Sequence, residues 1–143
     1  MNIERLKRQI IESEGLRYRA YQDHLGNWTI GVGHLLKLPD EEYLLRGSLK
    51  EYEVMQIFTT DLNQAIDDAR KFIDENSINE RAFEIIVDMA FNLGLTRLSK
   101  FKKLKQALID NDYVKASEEM LDSLWAKQLP NRSKRLADEM RDV

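Results

Sequence analysis

The feature that most constrains the fold of this chain is a change of hydrophobic period near residue 15. Before it, apolar residues recur at helical spacing and predict a first helix over about residues 3–13. After it, strand-type residues flank the turn-forming sequence Asp-His-Leu-Gly-Asn, which predicts a β-hairpin with strands at 16–22 and 27–33. The pattern leaves room for a third short strand.

Beyond the hairpin the pattern is helical. Pro39 opens a short helix that Gly47 closes, and Ser48-Leu-Lys-Glu51 matches a capping box at the start of a long amphipathic helix that runs to about residue 74. An apolar helix is predicted over 80–92, where Gly94 stops it. Further helices are predicted near 99–109, 112–123 and 131–140, with Pro130 marking the last break.

These elements predict an α+β, mostly helical fold in a single domain, residues 1–143. We expect a small N-terminal sheet lobe over about residues 14–60. A larger helical lobe would comprise about 1–13 and 61–143, with a long helix joining the two.

Composition excludes several classes of function. The chain has no cysteine, so disulfides and cysteine-bound zinc are ruled out, and its net charge of −3 is far from that of a typical nucleic-acid-binding domain. The N-terminus lacks the apolar core of a signal peptide, and no stretch approaches the roughly 18 apolar residues of a membrane helix. We therefore predict no nucleic acid, no stable membrane association and no cofactor.

Two carboxylates in the opening segment are candidates for chemistry. Glu14 lies at the end of the first helix, and Asp23 lies in the hairpin turn. A glycosidase needs two carboxyl groups in different surroundings, one protonated and one ionised. The negative end of a helix favours the protonated form of Glu14. With 25 acidic residues in the chain, however, the spacing of two acids alone also fits an ordinary surface.

The strand after the turn adds a second candidate group. Thr29 begins Thr-Ile-Gly-Val-Gly-His, and its hydroxyl would position a water, although threonine also simply favours strands. The Gly-x-Gly is too short for a nucleotide motif, but glycines in a strand permit close approach of another backbone or a flat ligand. His24 and His34 do not share a metal-ligand spacing with the carboxylates, so no metal is predicted.

Together these motifs resemble the phage T4-type lysozymes, which are endolysins of the muramidase type. The resemblance is collinear from residue 1 to about residue 140, and its most specific part is the spacing of Glu14, Asp23 and Thr29 followed by Ile-Gly-x-Gly-His. The matching motifs are Glu14-Gly-Leu-Arg, Tyr21-x-Asp23, Thr29-Ile-Gly-Val-Gly-His34-Leu-Leu, Phe91-Asn-Leu-Gly94 and Leu129-Pro-Asn-Arg-Ser-Lys-Arg135.

The resemblance implies a lysozyme-like fold and hydrolysis of the β-1,4 bond between N-acetylmuramic acid and N-acetylglucosamine in peptidoglycan. It makes Glu14 the general acid, and it makes Asp23, assisted by Thr29, the group that activates a water from the far face of the sugar, with inversion. Whether Asp23 acts as a base or mainly stabilises the developing positive charge stays open.

Other residues take secondary roles by the same resemblance. Those expected to bind substrate are Leu35, Phe91, Asn92 and Trp125, although core packing explains Trp125 equally well. Those expected to support the site are Arg132, as a partner of Glu14, and His34 with Asp61, as an ion pair between the sheet and the long helix. The chain is shorter than the prototype between His34 and Asp61, and Asn92 replaces a glutamine, so subsite preference is open.

The sequence leaves three candidate functions. The first is a muramidase, expected to be monomeric, that accumulates in the host cytoplasm and reaches peptidoglycan through a separate holin-like protein. The second is a lytic transglycosylase on the same bond, which would not need Asp23 or Thr29. The third is a non-catalytic glycan-binding module, which would not need Glu14.

Overall fold

A computed structural model describes all residues from 1 to 143. It contains seven α-helices, two short 3₁₀ helices and one three-stranded antiparallel sheet, which is the predicted α+β class with mostly helical content. Contacts along the chain define two compact units, Ile3–Asn63 and a second unit made of Met1–Asn2 and Gln64–Val143. The single-domain organisation stays a prediction.

The unit Ile3–Asn63 begins with helix α1, Ile3–Glu14, as the period predicted. Leu6 and Ile10 on α1 are fully buried. The sheet follows as β1, Arg17–Gln22, β2, Trp28–Gly31, and β3, His34–Leu35, in the order β1-β2-β3. The hairpin and its third short strand are therefore present.

The pairing of the strands determines which side chains lie side by side. Tyr21 pairs with Thr29 across β1 and β2, and Thr29 pairs with Leu35 across β2 and β3. The register between β1 and β2 shifts between Arg17 and Tyr21. Directly paired residues share a face of the sheet, so Tyr21, Thr29 and Leu35 form one row across it.

The short helix predicted between Pro39 and Gly47 is present in part. The chain turns at residues 38–41 and forms only a 3₁₀ helix, Glu42–Leu45. The following helix α2 spans Glu51–Phe72, close to the expected range, and runs through the boundary between the two units.

The predicted capping box at Ser48 is wrong. The Ser48 hydroxyl donates to the carbonyl of Leu49 at 3.4 Å, and α2 begins three residues later than Ser48. Instead the backbone N–H of Lys50 donates to Glu53 Oε1 at 2.9 Å. Lys50 is therefore the N-cap residue of α2. The Glu53 carboxylate accepts its backbone N–H, one of the groups that the start of a helix leaves without a partner.

The second unit is built around α3, Glu80–Leu98, whose residues 82–90 are all buried. Asn79 caps it, as its Oδ1 accepts from the backbone N–H of Arg81 and Ala82. The helix is interrupted at Gly94 (φ 76°, ψ 166°), where the prediction placed its end, and a last turn continues to Leu98.

Four further helices complete this unit: α4 (Lys102–Ile109), α5 (Tyr113–Leu121), α6 (Leu124–Gln128) and α7 (Pro130–Arg141). The three predicted helices correspond to α4, α5 and α7, with Pro130 in the first turn of α7. Helix α6 was not predicted because five residues are too few to display a helical period. No helix of the protein is both long enough and apolar enough to cross a bilayer.

Candidate active site

Glu14 is the last residue of α1, and its position is determined by two glycines. The N–H of Gly15 (φ 79°) bonds to the Ile11 carbonyl at 2.8 Å and ends the helix. Gly33 (φ 61°) lies against the Glu14 side chain, since a Cβ on Gly33 would stand 2.7 Å from Glu14 Cδ. The sequence predicted that strand glycines would permit close approach of another backbone or a flat ligand; at Gly33, which lies in the turn between β2 and β3, the group that approaches is instead the carboxyl group of Glu14.

Asp23 lies in the tight turn between β1 and β2 and organises that turn with its own side chain. Its Oδ1 accepts the backbone N–H groups of Leu25 at 2.9 Å and Asn27 at 2.8 Å. Burial raises the pKa of Asp23, but the hydrogen bonds from Asn27 and Leu25 outweigh it, and the net pKa is lowered. The group is therefore held in its ionised form.

Thr29, at the start of β2, is buried, with 3% of its surface exposed. Its hydroxyl donates to the carbonyl oxygen of Asn27 at 3.0 Å. Because that hydroxyl hydrogen is already used, the oxygen of Thr29 is left with lone pairs and serves other groups as an acceptor.

The pKa of Tyr21 is shifted by burial and by the charges of both carboxylates. Burial raises the pKa of its phenol, and the negative charges of Glu14 and Asp23 raise it further, while Arg17 lowers it. The Arg17 guanidinium lies 4.6 Å from the centre of the Tyr21 ring. Tyr21 also pairs with Thr29 across β1 and β2, so the two residues are neighbours on the sheet. The sequence marked Tyr21 only as part of a motif.

Leu35 lies next to this group on the same face of the sheet. It pairs directly with Thr29, and 55% of its surface is exposed. An exposed leucine beside two polar groups offers an apolar contact to a sugar ring.

His34 lies between two carboxylates that belong to different parts of the chain. Its Nδ1 is 2.6 Å from Asp61 Oδ2 on α2, and its Nε2 is 2.9 Å from Glu41 Oε1. The hydrogen bond to Asp61 raises the pKa of His34, burial opposes it, and Glu41 raises it again. The pair with Asp61 that the resemblance implied is present, whereas sequence reasoning missed Glu41, which carries no local signal of such a contact.

In the second unit, Asn92 and Trp125 form a hydrogen-bonded pair. The indole Nε1–H of Trp125 donates to Asn92 Oδ1 at 2.8 Å, which leaves the amide NH₂ of Asn92 as a donor for other groups. Trp125 is 2% exposed and packs edge-on against Phe101 at a centroid distance of 6.3 Å. Phe91 and Asn92 are partly exposed.

Arg132 is buried in the same unit and has a carboxylate partner that sequence reasoning missed. Its Nε and Nη2 donate to Asp88 Oδ1 at 3.0 and 2.7 Å. Arg135 Nη2 lies 3.6 Å from the other oxygen of Asp88. Asp88 thus orients the Arg132 guanidinium, and the pairing of Arg132 with Glu14 stays a prediction.

No group of three or more histidine, cysteine, aspartate or glutamate side chains is arranged to hold a metal ion. Two carboxyl groups, with a hydroxyl acceptor beside one of them, are the kind of groups that glycoside hydrolases use for acid catalysis.

Comparison with known proteins gives the family. Residues 11–139 match the phage lysozyme family. The chain is 28% identical over 153 residues to "Probable T4-type lysozyme 2" of Dictyostelium discoideum, which covers 92% of this chain and 90% of that protein. An endolysin of Salmonella phage P22 is 30% identical over 125 residues, covering 87% of this chain and 80% of the relative.

A third relative is the pre-baseplate central spike protein Gp5 of Enterobacteria phage T4, with 28% identity over 86% of this chain and 25% of that longer protein. The chain belongs to the phage lysozyme family. It is accordingly a glycoside hydrolase of the muramidase type that acts on peptidoglycan.

Proposed function

We propose that this lysozyme is an endolysin that hydrolyses the β-1,4 bond between N-acetylmuramic acid and N-acetylglucosamine, with inversion, for lysis of the host cell. It works as a monomer on the glycan strand and reaches the wall through a separate holin-like protein. The observation that carries the proposed site is the turn in which the Asn27 carbonyl accepts both the Asp23 N–H, at 2.9 Å, and the Thr29 hydroxyl, at 3.0 Å, and so holds Asp23 and Thr29 close together.

Glu14 is the general acid. It gives its proton to the glycosidic oxygen as the bond from that oxygen to the anomeric carbon breaks, and the electron pair stays with the leaving sugar. What supports this role is the placement of the Glu14 carboxyl group against Gly33, in the turn between β2 and β3, where a side chain on residue 33 would collide with it. A positioned acid contributes roughly 10²–10⁴-fold to the rate.

Asp23 and Thr29 hold the attacking water. The oxygen of the water bonds to the anomeric carbon from the face opposite the leaving group, and Asp23 takes one of its protons. Both groups are acceptors, since Asp23 is ionised and the Thr29 hydrogen is used by Asn27. For an inverting reaction the general rule places the two carboxyl groups roughly 6.5–9.5 Å apart.

The remaining residues bind or support. Leu35 offers an apolar contact beside Thr29, and Phe91 and the amide NH₂ of Asn92 are further sugar-binding groups. The buried ring of Trp125 acts by fixing Asn92. His34 with Asp61 supports the sheet, and Arg132, which Asp88 orients, is a further supporting residue.

The test compares clearing of outer-membrane-permeabilised Gram-negative cells by the wild type, Glu14→Gln and Asp23→Ala, with mass spectrometry of the products. Glu12→Gln, an exposed residue on the same helix, is the matched control and should clear normally. We expect muramic acid at the reducing end of the products and a collapse of activity in both site variants. NMR of freshly released sugar should show the inverted anomer.

Other outcomes would select the alternatives. Anhydro products from an active Asp23→Ala variant would identify a lytic transglycosylase. A folded protein that binds peptidoglycan but releases no sugar would identify a binding module.

A further inference from the structure

Asn27 lies at the end of the turn and contacts both residues on the proposed water side of the site. Its backbone carbonyl accepts the N–H of Asp23 at 2.9 Å and the hydroxyl of Thr29 at 3.0 Å. Its backbone N–H donates to Asp23 Oδ1, and its side-chain Nδ2 lies 3.5 Å from Asp23 Oδ2. One residue thus joins the carboxylate to the hydroxyl.

The two carboxylate oxygens of Asp23 have different hydrogen-bond partners. Oδ1 accepts two backbone N–H groups, from Leu25 at 2.9 Å and from Asn27 at 2.8 Å. Oδ2 receives only the long contact from the Asn27 amide. A carboxylate oxygen has about two lone-pair positions, so Oδ1 is saturated while Oδ2 keeps room for a water.

Asn27 also determines whether the Thr29 hydroxyl donates a hydrogen bond to a neighbouring water or accepts one from it. Because the Asn27 carbonyl takes the hydroxyl hydrogen of Thr29, that oxygen accepts from a neighbouring water and does not donate to it. A water that donates one hydrogen to Asp23 Oδ2 and the other to Thr29 Oγ1 has a lone pair facing away from both groups. That lone pair is what an attack on carbon requires.

We propose that Asn27 is a positioning residue that assigns the two acceptors of the attacking water, Asp23 Oδ2 and Thr29 Oγ1, and that its side-chain amide orients Oδ2. This inference rests on the proposed function, since it assumes that Asp23 and Thr29 hold that water. When the water attacks, its proton moves to Oδ2.

The charges around Asp23 determine how this position responds to pH. Burial raises the pKa of Asp23, whereas the backbone N–H groups of Asn27 and Leu25, the Asn27 amide and the neighbouring His24 lower it. Burial raises the pKa of the Tyr21 phenol, and the negative charge of Asp23 in turn raises it further. Activity that requires ionised Asp23 is lost as the pH falls through its pKa, so the Asn27 amide extends activity into the acid range.

The experiment measures kcat and KM on soluble glycan strands from pH 3 to 8, together with the NMR titration of the Asp23 carboxyl carbon. The variants are Asn27→Ala, which removes the amide, and Asn27→Asp, which keeps the size and places a second carboxylate beside Asp23. The backbone contacts of Asn27 stay in both variants. Asn76→Ala is the matched control because Asn76 is also exposed and also donates its backbone N–H to an aspartate side chain, that of Asp74, which lies two residues earlier rather than four.

In Asn27→Ala we expect the Asp23 titration and the acid limb of kcat/KM to move to higher pH together. At neutral pH kcat should fall about fivefold with little change in KM, as for the loss of one weak hydrogen bond to a charged group. In Asn27→Asp both shifts should be larger, because like charges disfavour ionisation. Asn76→Ala should leave both profiles unchanged.

Two results separate failure of this inference from failure of the proposed function. If the Asp23 titration and kcat stay at wild-type values in both Asn27 variants while Asp23→Ala is inactive, Asn27 does not position the water and the proposed site stands. If Asp23→Ala retains full activity, the role of Asp23 itself is wrong, whatever the Asn27 variants do to its titration.

Discussion

At the scale of single residues, two glycines with similar backbone angles do different work. Gly33 (φ 61°) and Gly47 (φ 73°) both lie in the left-handed region that side chains rarely adopt. A Cβ at Gly47 would meet no atom within 4 Å, whereas one at Gly33 would stand 2.7 Å from Glu14 Cδ. Gly47 therefore serves the backbone, and Gly33 also makes room for the proposed acid.

Substituting each glycine by alanine separates the two functions. Both variants should lose about 1 kcal/mol or more of unfolding free energy in urea, from the strained backbone alone. Only Gly33→Ala should also lose activity, by on the order of 10²-fold, because Glu14 has to shift by a fraction of an ångström or more. Equal activity in the two variants would contradict the proposed placement of Glu14.

At the scale of elements, the start of α2 was predicted incorrectly for a local reason. The sequence contains two overlapping capping patterns, one from Ser48 to Glu51 and one in which Glu53 reaches back to Lys50. The better N-cap side chain is serine, so propensity alone favours the first pattern. The structure uses the second, and the helix begins where the chain leaves the contact between the Leu49 N–H and the Tyr18 carbonyl, 2.8 Å apart.

The two patterns make opposite predictions for stability. Glu53→Ala should lower the unfolding free energy by roughly 0.5–1 kcal/mol, since it removes both a cap contact and a negative charge in the first turn. Ser48→Ala should change it by less than about 0.5 kcal/mol. Urea titrations of both variants measure these unfolding free energies. A larger loss of unfolding free energy in Ser48→Ala than in Glu53→Ala would show that Ser48, not Glu53, caps the helix.

The His34 cluster joins β3, the turn at Glu41 and α2 through charges that titrate. The pKa of His34 is raised from 6.5, first by the bond to Asp61 and against burial, so its contribution to stability is complete below about that value. That contribution is lost as the pH rises through the higher folded pKa. Burial raises the pKa of Glu41, but the Lys37 N–H and His34 outweigh it, so its contribution is lost as the pH falls through a folded pKa below 4.5.

We therefore expect the melting temperature of the wild type to exceed that of His34→Asn by the largest margin between about pH 5 and 6.5, where both contributions are present. The margin should shrink on the alkaline side as His34 becomes neutral and on the acid side as Glu41 is protonated. Calorimetry from pH 3 to 9 measures it. A margin independent of pH would mean that the histidine contributes only by packing.

At the scale of the whole molecule, charge separates this protein from strongly basic lysozymes. Its net charge is −3, and the substrate carries peptide carboxylates, so long-range attraction contributes little to association. Raising the salt from 50 to 200 mM should change the initial clearing rate by less than about twofold, since there is little attraction to screen. A strongly basic lysozyme measured in parallel should slow down markedly. A steep loss with salt in this protein would show that a local basic surface governs binding.

Most of the fold could be predicted from the sequence because the signals are local. Helical periodicity marks α1 and α3, and a change to strand residues around a turn marks the hairpin. The order of Glu14, Asp23 and Thr29 along the chain was readable because all three lie within 16 residues and follow a family motif. Helix α6 escaped because it is shorter than two turns.

What only the tertiary structure decided is which distant groups meet. The hydrogen-bonded partners lie far apart in the sequence: 27 residues separate His34 from Asp61, 44 separate Asp88 from Arg132, and 33 separate Asn92 from Trp125. No propensity or period encodes such a pair, because its free energy exists only once packing has brought both groups out of water. The sequence by itself determined the elements and the order of the reactive groups. The packing of those elements decided which partner holds each group and hence which of its atoms stays available for chemistry.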